Sequence, residues 1–154
     1  MVESRLPPTF QEQDLNYYLR MIRGDYSTME EVAPRSMVGP SQVKNLVLVF
    51  TSDAIGVGNE LLGKKLMLHL LQSVVNGSHK PRAIILLNGA VRMASGRNDT
   101  IGRLTVLEEQ GSKIMVCVSS AEEYGIIDNI NVGFVASMDE IVESLMTALK
   151  VITL

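Results

Sequence analysis

The sequence predicts an α/β fold: a three-layer α/β/α sandwich on a mostly parallel sheet of about five strands, with an N-terminal helical arm. Three observations predict it. Short apolar runs without polar alternation recur, as strands covered on both faces require. Stretches with apolar residues at helical spacing alternate with them. The connections are about a dozen residues or longer, the length that a parallel crossover needs. With 154 residues, 46% apolar and 20% charged, the chain can bury a real core in one ordinary domain.

Residues 1–43 differ in texture from the rest of the chain. Four of the five prolines lie here (Pro7, Pro8, Pro34 and Pro40). Between them, Leu15, Tyr18, Leu19 and Ile22 form one stripe of an amphipathic helix over residues 11–23. A second short helix is expected to start at Ser27 or Thr28, with Glu30 and Glu31 in its first turn. Such a segment cannot form a core alone. It is read either as an arm packed on the main domain or as an arm that reaches a partner or sister subunit.

The main domain spans residues 44–154. Asn45-Leu-Val-Leu-Val-Phe50 is the first strand. A helix follows over residues 59–75, with Leu62, Leu66, Leu70 and Val74 at steps of four and Met67, Leu71 and Val75 beside them. Ala83-Ile-Ile-Leu-Leu87 is the second strand, followed by a loop over residues 88–99. A helix carrying Ile101, Leu104 and Leu107 stops at Gly111, which suits the left-handed cap position. Residues 114–118 form the third strand and Phe134-Val-Ala136 the fourth. Ser137-Met-Asp-Glu140 is a capping box that opens a helix lined by Ile141, Val142, Leu145, Met146 and Leu149. Residues 151–154 make a fifth strand.

In a parallel sheet every strand delivers its following loop to the same edge, and ligands collect there. The loops 51–58, 88–97 and 117–125 therefore converge. The first imitates two nucleotide signatures. Gly56-x-Gly58 starts like a dinucleotide fingerprint, but the next glycine, Gly63, comes too late, and Asn88 stands where an acidic residue would hold a ribose. Gly58 to Lys65 spells Gly-x4-Gly-Lys-Lys, lacking the Ser/Thr that would hold magnesium, and Leu61 and Leu62 belong to the helix's apolar stripe. A flavin-phosphate loop is the better imitation. In the plain account, Gly56 and Gly58 let the chain turn while Asp53 or Asn59 caps the helix.

Cys117 is the only cysteine. It is either a small buried hydrophobe or a reactive thiol. For the second, Ser119 and Ser120 each head a capping-box pattern, so a helix begins within a few residues of the sulfur. Its free N–H groups and dipole favour thiolate over thiol. No histidine base is near in sequence, which disfavours hydrolysis by a Cys-His pair and leaves sulfur exchange or persulfide carriage. His69 and His79 read as surface and loop residues, and the nine methionines as packing.

Composition narrows the partners. A net charge of −3 offers no basic face for nucleic acid or an anionic membrane. One cysteine and two histidines leave no disulfide framework and no multi-thiolate zinc site, so neither metal nor cofactor is expected. The N-terminus lacks the apolar core of a secretory signal and the apolar runs are too short to span a bilayer, so a cytoplasmic protein is expected. A mean hydropathy of +0.18 points to apolar surface buried between subunits.

Four ordered stretches carry a resemblance. They are Phe50-Thr-Ser-Asp-Ala-Ile-Gly-Val-Gly-Asn-Glu-Leu-Leu-Gly-Lys-Lys-Leu-Met67; Leu87-Asn-Gly-Ala-Val91; Leu107-Glu-Glu-Gln-Gly111 leading to Cys117; and Val132-Gly-Phe-Val-Ala-Ser-Met-Asp-Glu-Ile-Val-Glu143 with Lys150-Val-Ile-Thr-Leu154. On these, residues 45–154 resemble the DsrE/DsrF-like sulfur-relay family, and most closely the C-terminal domain of YedF-type proteins linked to selenium metabolism. The resemblance implies a DsrE-like α/β domain that forms homo-oligomers, with persulfide carried at the Cys117 position between a protein donor and a protein acceptor. Two departures stand out. Such chains usually show Cys-Gly-Thr-Cys where this one has Cys117-Val-Ser-Ser120, so a dithiol mechanism is excluded. They also tend to have an N-terminal domain with a Cys-Pro motif, and residues 1–43 contain no cysteine.

The expected function is thus a sulfurtransferase-like relay of sulfur or selenium on Cys117. Backbone N–H groups near Ser119 and Ser120 would support the sulfur. Asp53, Asn59 and Asn88 would line the mouth, with Gly56 and Gly58 shaping the loop. The alternative is a non-catalytic binding or assembly module with a structural thiol. A flavin or nucleotide pocket is a third, weaker reading.

Overall fold

In a computed structural model, the chain divides into two units, Met1–Ser41 and Gln42–Leu154. The structure describes residues 45–154, so the helices expected in the arm lie outside the described residues. Five strands form one all-parallel sheet: β1 (Leu46–Phe50), β2 (Ala83–Leu86), β3 (Lys113–Cys117), β4 (Phe134–Ala136) and β5 (Lys150–Thr153), in the order β4-β3-β2-β1-β5. The α-helices are α1 (Glu60–Asn76), α2 (Asp99–Glu109), α3 (Val118–Glu123) and α4 (Met138–Met146).

This strand order dictates the layers. From β1 to β4 the chain steps one way across the sheet, so right-handed crossovers place α1, α2 and α3 on one face. The return from β4 to β5 crosses the whole sheet and leaves α4 on the other. Side chains alternate accordingly. Leu48, Phe50, Ile84, Leu86, Ile114 and Val116 pack with Met67, Leu71, Leu104 and Leu107. Val47, Val49, Ile85, Met115 and Cys117 pack with Ala136 and Ile141. The three-layer architecture expected from the sequence is present, with the second layer supplied, among the described residues, by α4.

Local chemistry sets the boundaries. Asn59 caps α1, its Oδ1 accepting from the Leu62 N–H at 3.1 Å, so it and not Asp53 does the capping. Ser137 and Glu140 complete a reciprocal capping box on α4. Gly111, with φ of +101°, follows the end of α2 in the left-handed conformation. The buried line of α1 is Gly63, Met67 and Leu71, one residue on from the Leu62–Leu66–Leu70 line, and Leu61, Leu62 and Leu66 are exposed. Gly63 explains the rotation: a Cβ there would stand 2.9 Å from the Ile55 carbonyl oxygen, so the loop before the helix lies directly on this turn. Residues 88–94, expected as loop, form a 3-10 helix, Asn88–Ala94, and five of its residues are buried.

Candidate functional site

The three loops expected to meet do meet at the C-terminal edge of the sheet. Asn88, first residue of the 3-10 helix, adopts φ of +49°, a left-handed conformation that Asn tolerates better than most residues. Its backbone N–H donates to Ser120 Oγ on α3 at 2.9 Å. Its Oδ1 accepts from the Tyr124 hydroxyl at 3.0 Å. The Arg92 guanidinium lies 5.2 Å from the centroid of the Tyr124 ring and donates to Asp53 Oδ1 at 3.2 Å. Gly89 keeps room for this stack, since a Cβ there would stand 3.3 Å from the guanidinium. Asp53, Arg92, Tyr124, Asn88 and Ser120 thus form a chain of polar contacts running through all three loops.

Charge in this cluster is balanced. Asp53, with its side chain only 14% exposed, sits between Arg92 and Lys64, whose Nζ is 4.0 Å from Asp53 Oδ2 and 2.8 Å from Glu60 Oε1. The hydrogen bond and charge of Lys64 hold the Glu60 carboxyl below its usual range. Glu60, reinforced by Asp53, raises Lys64 in turn. Both side chains are solvated, so this belt contributes little to stability.

Cys117 lies next to the polar cluster in sequence but belongs to a different layer. It ends β3, directly precedes α3, and is 2% exposed, packed on the α4 side of the sheet with Met115, Ala136 and Ile141. The helix after it begins at Val118, not at a cap formed by Ser119 or Ser120. That expectation fails because the Ser120 hydroxyl serves a tertiary partner, Asn88, in place of its own helix. Ser119 is exposed on the first turn of α3.

Of the residues singled out from sequence, Asp53, Asn88 and Ser120 share one network. Asn59 caps α1, and Gly56 and Gly58 (φ of +81° and +126°) shape an exposed turn with open space around each. Arg92, Tyr124 and Lys64 were not singled out. The available signal was an acidic, a basic and an aromatic residue on three loops already expected to converge. Among the described residues, no three His, Cys, Asp or Glu side chains gather as a metal ion requires. No helix among them is long and apolar enough to cross a membrane.

The model of the DsrE/DsrF-like family matches residues 7–154. Three solved structures share the fold. The YchN protein from E. coli is 17% identical, with 71% of this chain and 99% of that one covered and a TM-score of 0.51. MTH1491 from Methanobacterium thermoautotrophicum, a protein of unknown function, is 18% identical over 71% of this chain and 97% of its own, with a TM-score of 0.54. BT1422 from Bacteroides thetaiotaomicron, a conserved protein of unknown function, is 16% identical over 75% of this chain and 100% of its own, with a TM-score of 0.51. At these identities the likeness is one of fold. No curated protein matches the chain.

Proposed function

This chain belongs to the DsrE/DsrF-like family, and from that premise we propose that it is a sulfur-relay protein carrying sulfane sulfur as a persulfide on Cys117. The observation that carries the reading is position: the only thiol of the molecule ends a central strand at the sheet edge where three loops meet. The chemistry needs no external oxidant. The Cys117 thiolate attacks the terminal sulfur of a donor protein's persulfide, the donor S–S bond breaks, and the donor leaves as thiolate. Attack on the Cys117 persulfide by an acceptor thiolate repeats the exchange and restores Cys117. Selenium would follow the same steps.

Donor and acceptor in this reading are proteins, the compartment is the cytoplasm, where a lone thiol stays reduced, and neither nucleic acid nor membrane takes part. The burial of Cys117 adds a requirement: its cover on the α4 side of the sheet, where it packs with Ala136 and Ile141, has to open for a donor sulfur to reach Sγ. The bond from the Asn88 N–H to Ser120 Oγ fixes the backbone that follows Cys117, so Asn88 and Ser120 act as positioning residues for the end of β3.

The same burial favours a second reading, a non-catalytic binding or assembly module in which Cys117 is a small core residue. Iodoacetamide labelling separates the two. A relay thiol alkylates in the native protein within minutes and the reaction is slowed by prior incubation with a persulfide donor. A core thiol alkylates only on unfolding, and Cys117→Ala then lowers stability without affecting any sulfur transfer.

A further inference from the structure

The two ends of α4 are held differently. At the C-terminal end the guanidinium of Arg82, just before β2, donates to the Ser144 carbonyl at 2.8 Å and to the Thr147 hydroxyl at 3.3 Å. Asn45 adds a bond from Nδ2 to the Thr147 carbonyl at 2.7 Å and accepts the Leu149 N–H at 3.0 Å. A cation at a helix C-terminus also suits the helix dipole. Among the described residues, the N-terminal end has no such anchor to the rest of the domain. Ser137 and Glu140 bond to each other in their reciprocal capping box, and the Ile141 N–H donates to the Ser137 carbonyl.

Burial follows the same division. Ser137, Met138, Asp139 and Glu140 are all exposed, and the two residues that flank them, Ala136 and Ile141, are buried. Those two cover Cys117: Ala136 is its partner in the β3–β4 ladder, and Ile141 belongs to the same apolar cluster. Unwinding the first turn of α4 therefore costs the capping bonds and the withdrawal of Ile141, since the four residues between are already solvated. An opening confined to one terminal turn needs far less free energy than unfolding of the domain. The backbone that follows Cys117 stays in place meanwhile, because Ser120 Oγ holds the Asn88 N–H.

We propose that the first turn of α4 is the gate to Cys117, latched by the Ser137–Glu140 capping box and hinged on the Arg82 anchor at the far end of the helix. The inference rests on the sulfur-relay reading, but its test does not, because iodoacetamide reports access to Sγ and not sulfur transfer. Alkylation of the native full chain at fixed pH, followed by intact mass, measures the opening, with circular dichroism showing that each variant is folded. Ser137→Ala loses the cap and is expected to raise the alkylation rate about fivefold. Glu140→Ala, which removes the other half of the box, is expected to raise it too, and Ser137→Thr, which keeps a hydroxyl, to hold the parent's rate. Asn98→Ala removes the cap of α2 on the other face of the sheet and is expected to leave the rate unchanged while lowering global stability to a similar extent. A Ser137→Ala rate equal to the parent's, or an equal rise in Asn98→Ala, would overturn the gate and leave the relay reading standing. A faster Ser137→Ala that gains no sulfur from a protein persulfide donor would support the gate and count against the relay.

Discussion

The hydroxyl of Ser120 accepts a hydrogen bond from the backbone N–H of Asn88 at 2.9 Å, tying the turn after Cys117 to the loop after β2. Removing the acceptor leaves a main-chain donor in a left-handed residue without its partner. Ser120→Ala is expected to cost about 1 kcal/mol and lower the melting temperature by several degrees, with Ser120→Thr recovering most of it. A Ser120→Ala protein as stable as the parent would show that solvent replaces this bond.

The stack of Arg92 on Tyr124 predicts a coupling. Arg92→Ala and Tyr124→Leu are each expected to cost less than about 1 kcal/mol, since both side chains are substantially exposed. In a double-mutant cycle by urea denaturation they should be non-additive by about 0.5 kcal/mol. Arg92→Lys should not recover that coupling fully, because an ammonium lacks the planar guanidinium that lies over the ring. Additive costs would mean that the two side chains act separately.

The contrast between fold and site shows what a sequence can reveal. The first three strands of the main domain were legible because the continuous apolar runs at Leu46, Ala83 and Ile114 have no amphipathic helical alternative of that length. The α4 capping box was legible because its partners are three residues apart. The buried line of α1 was not, since it depends on loop 51–58 folding back on Gly63. The convergence of the loops followed from topology alone, whereas the bond from Tyr124 to Asn88 and the pair of Arg92 with Asp53 join residues more than thirty positions apart. Ser120 illustrates the limit: its local pattern named one partner, and a residue from another loop took the hydroxyl.

Gly133 predicts the largest stability effect in the main domain. Its φ is +79°, and a Cβ there would stand 2.5 Å from the Ile114 carbonyl oxygen. Gly133→Ala combines left-handed strain with a clash against the backbone of β3. It is expected to cost more than about 2 kcal/mol, or to prevent folding. A loss below about 0.5 kcal/mol by chemical denaturation would mean that the approach of β4 to β3 is looser than this.

Glu140 predicts an acid dependence of defined sign. Hydrogen bonds from the Ser137 N–H and then the Ser137 hydroxyl hold its carboxyl below the ordinary 4.5. Its folded pKa is depressed, so its contribution is fully present above 4.5 and is lost as pH falls through the lowered value. Melting temperatures followed from neutral pH downward should fall less steeply in Glu140→Gln than in the parent below that point. Parallel curves would contradict the assignment.

The central claim is that Cys117 carries sulfur, and intact mass spectrometry after incubation with a protein persulfide donor tests it most directly. The account predicts that the native chain gains the mass of one sulfur atom, that a thiol reductant removes it, and that Cys117→Ser gains nothing. A native chain that stays unmodified under conditions that load an established persulfide carrier would contradict the claim and leave Cys117 as a residue of the core.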